Sequence, residues 1–77
     1  MKVKVEIFGK LTDITKNKNF EFQSINDTDS LLQKLYEQFP GLQSASFIIA
    51  VNNNLIQDNT MLEDDNTVAL MPPYSGG

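Results

Sequence analysis

The sequence predicts an α+β domain in which one helix packs across one mixed sheet. Three observations carry that reading. Residues 2–7 alternate strictly between polar and apolar, with Phe8 continuing the strand, Leu31 to Phe39 carry one apolar helical stripe, and Phe47 to Val51 form a continuous apolar run. The chain has 77 residues, which fits one compact domain burying about 60% of its unfolded surface. That leaves room for one thin core and no deep catalytic cleft.

Each element follows from its local pattern. Val3, Val5 and Ile7 share one face of the first strand, with Lys2, Lys4, Glu6 and Phe8 on the other. Leu11 and Ile14, three apart among polar residues, predict a helical turn or a loop pinned to the core. Lys16-Asn17-Lys18-Asn19 is a polar turn, and Phe20-Glu21-Phe22 a short second strand antiparallel to the first. In the helix, Leu31, Leu32, Leu35, Tyr36 and Phe39 make the apolar stripe and are read as core. Asp27 or Thr28 caps its start, Asp29 favours the positive end of its dipole, and Pro40-Gly41 stops it.

A small-residue loop then leads to Phe47–Val51, which reads as a central strand. Asn52-Asn53-Asn54 turns the chain, because asparagine tolerates positive φ. Leu55-Ile56 starts a short edge strand, Leu62 packs back, Asp64-Asp65-Asn66 turns again, and Thr67 to Met71 form the last strand. The acidic Glu63-Asp64-Asp65 lacks the spacing and glycine of a calcium loop and reads as a solvated turn. Residues 1–71 are expected to form the domain and residues 72–77 a flexible tail.

Composition narrows the function. The chain contains neither cysteine nor histidine. Disulfides, zinc-thiolate sites and a thiol nucleophile are thereby excluded, as is a histidine base or a serine-histidine-acid triad. No metal site is expected, and acid-base chemistry must belong to a partner. The net charge is −4, and all six cations are lysines, five of them within the first eighteen residues. Such a balance disfavours a phosphate backbone and suits a basic protein partner. No apolar run approaches the roughly 20 residues of a membrane span, and the alternating start is unlike a signal peptide. A cytoplasmic protein with neither a nucleic acid nor a membrane partner is expected.

The end of the sequence, Pro72-Pro73-Tyr74-Ser75-Gly76-Gly77, is its most informative segment. Pro72 cannot donate to a ladder and ends the strand. Two prolines favour a polyproline II path that holds the tail away from the domain. Six extended residues reach roughly 20 Å, and the last two, without side chains, suit threading into another protein's active site. Phe8, Leu55 and Met71 are candidates for an exposed apolar patch beside the tail's exit. The alternative is that one or two of them are buried under the sheet's edge.

Val68-Ala69-Leu70-Met71-Pro72-Pro73 with Ser75-Gly76-Gly77, preceded by Ala50-Val51-Asn52-Asn53-Asn54-Leu55, resembles the MoaD-like family of molybdopterin synthase small subunits. The layout resembles a β-grasp, or ubiquitin-like, fold. The resemblance implies that the Gly77 carboxylate is adenylated with ATP by an E1-like activating enzyme, then converted by a sulfur donor to a thiocarboxylate. It further implies that the tail, residues Pro72 to Gly77, enters the large synthase subunit within a heterotetramer. There it gives sulfur to a cyclic pterin precursor in molybdenum cofactor synthesis, with catalysis supplied by the large subunit. It also points to partner contacts at Phe8, Leu55 and Met71, and to no cofactor on this chain. Two positions depart from the family pattern. Lys10 and Lys16 stand where an arginine often follows the first strand, and Asp65 replaces a usual glycine. A thiamin-type sulfur carrier, a protein modifier joined through Gly77, and an interaction module with an inert tail remain the alternatives.

Overall fold

The computed structural model describes residues 2–73. Its elements in order are β1 (Lys2–Ile7), a 3-10 turn (Gly9–Leu11), α1 (Thr12–Thr15), β2 (Asn19–Gln23) and α2 (Thr28–Gln38). A second 3-10 helix (Pro40–Ser44), β3 (Ile48–Val51), β4 (Asn54–Ile56) and β5 (Thr67–Met71) follow. The five strands form one sheet in the order β2-β1-β5-β3-β4. β1 and β5 run parallel, with Ile7 opposite Leu70, while the other pairings are antiparallel. This is the mixed sheet of the β-grasp architecture, with α2 as its one long helix.

Alternation along the strands builds the core. Val3, Val5 and Ile7 of β1 join Val68 and Leu70 of β5, all buried, beneath Leu31 and Leu35 of α2. Leu11, Ile25, Leu42 and Leu62 close the margins. The rest of the helical stripe, Leu32, Tyr36 and Phe39, is half-buried against this cluster. Phe39 also meets the Phe20 ring edge-on at 5.3 Å between centroids, a favoured aromatic geometry.

The 47–51 run is interior as expected, since β3 lies between β5 and the edge strand β4, with β5 in the middle of the sheet. Two expectations are corrected. Segment 40–46 is not simply a loop, because Pro40 at its N-terminus starts a 3-10 helix that buries Leu42. β1 ends at Ile7, although the extended Phe8 still donates its N–H to the Leu70 carbonyl at 3.0 Å.

Turn chemistry sets the register. Asn52 and Asn53 have φ of 49° and 70°, the two consecutive positive values that a tight hairpin between β3 and β4 needs. The Asn52 side chain accepts from the Thr67 N–H at 2.9 Å, tying that hairpin to β5. Asp65 takes φ 65°, so the turn before β5 forms without glycine. There Asp64 Oδ1 accepts from the Lys2 N–H at 2.7 Å, a bond that holds its carboxyl below the usual carboxylate range.

Asp27, not Thr28, caps α2, accepting from the Ser30 N–H at 3.2 Å. Hydrogen bonds from Ser30 and then from Asn59 hold Asp27 below its ordinary value. A carboxyl depressed on folding stabilises the domain above its unfolded pKa, near 3.9, and loses that contribution as pH falls through the folded value. Stability should therefore fall as the pH drops below about 4. Asp27→Asn should flatten that acid limb in urea melts recorded across the pH range. An acid limb of native slope in Asp27→Asn would contradict that assignment.

Candidate functional site

The sheet has a helix-covered face and an open face, and register decides what the open face carries. Over β2 and β1 it is polar: Asn19, Glu21 and Gln23 pair with Glu6, Lys4 and Lys2. Over β5, β3 and β4 it is apolar. Ala69 pairs with Ala50, which pairs with Leu55, and Met71 pairs with Ile48 one row along. Phe8, extended beyond the Ile7–Leu70 pair, falls beside Met71. Phe8, Met71 and Ile48 thus make one row and Ala69, Ala50 and Leu55 the next.

The three candidate patch residues converge on this face, with unequal exposure. Leu55 is 68% exposed and Phe8 44%, while Met71 is half-buried between its two neighbouring strands. Ile48, 38% exposed, completes the row and is not legible from the sequence, because a continuous apolar run conceals which residues alternate outward. Ala50 lies flat in the face and outside the core cluster, yet only 4% of it is exposed. Exposed Met61 is separate, bridged to Asp27 at the start of α2 on the helix side.

The chain leaves the sheet at the rim of this apolar area. β5 ends at Met71, and Pro72 is half-buried while Pro73 is exposed. Pro72 is therefore seated on the domain, its ring against Gly9, and exposure begins at Pro73 rather than at Pro72. The expectations for Tyr74, Ser75, Gly76 and Gly77, including the flexible tail, lie outside the described residues.

Nothing in the described part of this face is poised for acid-base chemistry. The two carboxyls with depressed pKa, Asp27 and Asp64, serve as a helix cap and a turn anchor. An apolar area rimmed by polar residues suits recognition of another protein. Among the described residues, no helix is long and apolar enough to cross a membrane.

The chain as a whole is similar to known proteins. Residues 5–77 match the model of the ThiS family. The chain is 31% identical over 83 aligned positions to a molybdopterin synthase sulfur carrier subunit from Chlamydomonas reinhardtii, covering all of both chains. It is also similar to a chain in the complex of subunits 1 and 2 of molybdopterin-converting factor from Helicobacter pylori. That match has 34% identity, TM-score 0.76 and full coverage of both chains. The solution structure of small archaeal modifier protein 1 from Methanosarcina acetivorans matches with TM-score 0.84 at 24% identity, covering 99% of this chain and 96% of that one. At that identity the likeness speaks for the fold alone.

Proposed function

The chain belongs to the ThiS family, and on that premise we propose that it is the sulfur-carrier subunit of a molybdopterin synthase. The observation that carries this reading is the apolar face of Phe8, Ile48, Ala50, Leu55 and Met71, set where the C-terminal segment leaves the sheet. The face docks the large subunit, and the segment from Pro72 to Gly77 enters that subunit's active site. The naming of the two full-length relatives above one quarter identity supports molybdopterin over thiamin or another thio-metabolite.

Gly77 is the reactive residue. Its carboxylate oxygen attacks the α-phosphorus of ATP on an E1-like activating enzyme, releasing pyrophosphate. A sulfide-level donor then displaces AMP, leaving a thiocarboxylate. A carboxylate is a poor electrophile until it carries such a leaving group, and the sulfur so installed is a far better nucleophile than the oxygen it replaces. In the large subunit that sulfur displaces an oxygen substituent of the cyclic pterin precursor, a C–S bond forming as a C–O bond breaks and the oxygen leaves protonated. Water then cleaves the resulting thioester and restores the Gly77 carboxylate. Each product needs two sulfurs, so carriers are exchanged or two tails are used. Gly76 and Ser75 give the slim end of the tail, and Tyr74 and Pro73 its approach. The chain binds no cofactor of its own and works in the cytoplasm.

Replacing Phe8 with aspartate places a charge in the desolvated face. Removing an interface anchor of this kind costs about 2 kcal/mol or more, roughly a thirty-fold weakening. Titration of Phe8→Asp into the large subunit by calorimetry should show that loss, with the far-ultraviolet circular dichroism of the native fold. Native affinity in the folded variant rejects the docking face.

A further inference from the structure

Gly9 is the residue on which the chain's exit turns. It has φ +61°, and a Cβ built on it would lie 2.7 Å from Pro72 Cγ and 3.2 Å from Pro72 Cδ. The first distance is far inside van der Waals contact, so one of the two residues would have to move. Gly9 is held in place. The neighbouring Phe8 N–H donates to the Leu70 carbonyl, the Gly9 carbonyl accepts from both the N–H and the Oγ1 of Thr12, and Leu11 is buried two residues on. The Pro72 ring has no rotamer to escape into, because it closes on its own backbone nitrogen. A side chain at position 9 therefore displaces the backbone of Pro72, and with it the direction in which the chain leaves β5.

We infer that Gly9 is a positioning residue: its bare Cα seats the Pro72 ring and aims the C-terminal segment relative to the apolar face. The inference rests on the carrier function proposed above. Phe8 links the two features, since it stands on the docking face and is bonded to Gly9. A partner that grips the face thereby meets the tail at a set angle. A misaimed tail leaves docking intact and lowers the fraction of docked complexes in which Gly77 reaches the reacting atoms. Misplacement of about 1 Å costs up to a hundred-fold in rate.

The test uses the full chain with Gly9→Asn, because asparagine tolerates positive φ and so isolates the collision with Pro72 from backbone strain. Sulfur transfer from thiocarboxylated Gly77 to the pterin precursor is followed in the synthase reconstituted with the large subunit, over a range of carrier concentrations. Gly9→Asn is expected to lower kcat about ten-fold or more while leaving KM nearly native. Pro72→Ala removes Cγ and Cδ, so adding Gly9→Asn to that variant should cost little further. In the native chain, nuclear Overhauser contacts should join the Gly9 Hα protons to the Pro72 ring and vanish in Gly9→Asn. Native kcat in Gly9→Asn, the same loss in both backgrounds, or no Gly9–Pro72 contact in the native protein overturns the inference. A native chain that shows the contact yet is never modified at Gly77 instead overturns the carrier reading. The seat's role in aiming falls with it.

Discussion

Removing Gly76 and Gly77 is expected to abolish sulfur transfer and to leave the melting temperature of the domain unchanged. The two halves of that result have separate physical origins. Among the described residues the sheet ends at Met71, whose partner Ile48 closes the last pair of the ladder, and the buried cluster draws on none beyond Leu70. Loss of the final pair is therefore expected to leave stability unchanged. Under the proposed function the chemistry depends on that pair, since a chain ending at Ser75 presents its carboxylate two residues short and beside a side chain. A reach shortened by two residues, roughly 7 Å, takes the reacting group out of contact distance. Product formation by the reconstituted synthase should fall to background while thermal melts superimpose. Undiminished turnover would identify the tail as inert and the domain as a plain interaction module.

Leu70→Ala is expected to have the largest effect on stability. Leu70 is fully buried in the central strand and pairs with Ile7 on one side and Ile49 on the other, beneath the main helix. Truncating such a leucine costs about 2–5 kcal/mol, the transfer term plus the cavity left behind. A domain of this size holds only about 4–11 kcal/mol in total, so the variant loses a large share of its margin. Its melting temperature should drop by roughly 10 °C or more. Ala69→Ser, one residue earlier on the open face, should shift it far less. Equal shifts in the two variants would contradict the assignment of faces along β5.

Local patterns made most elements legible in the sequence. Val3, Val5 and Ile7 alternate against charged neighbours, so β1 and its inward face are fixed by period alone. The stripe from Leu31 to Phe39 specifies the helix, and asparagine pairs specify the hairpin turn. Features that depend on distant residues stayed hidden. Nothing near β5 says that it lies parallel to β1, because that pairing joins the two ends of the chain. Leu42 is a lone leucine among glycine, glutamine and serine, too sparse a pattern to announce a 3-10 helix. Ile48 vanished inside Phe47-Ile48-Ile49, where both faces of the strand look alike. Gly9 gives no signal of its own in the sequence, since its partner Pro72 lies far along the chain.

The open face also shows why a chain lacking histidine and cysteine can take part in group transfer. Under the proposed function its described residues supply recognition through Phe8, Ile48, Leu55 and Met71, and direction through Gly9 and Pro72. Under the proposed function the reactive group is the chain's own carboxylate, and the partners supply activation and catalysis.

Intact mass spectrometry tests that claim most directly. The chain is incubated with its activating enzyme, ATP and a sulfur donor, and its mass is compared with that of the variant lacking Gly76 and Gly77. The carrier account predicts a gain equal to one oxygen-to-sulfur exchange, placed on Gly77 by fragmentation and absent from the shortened variant. No gain with an enzyme shown to hydrolyse ATP in the presence of this chain, or a gain placed on any other residue, would contradict it.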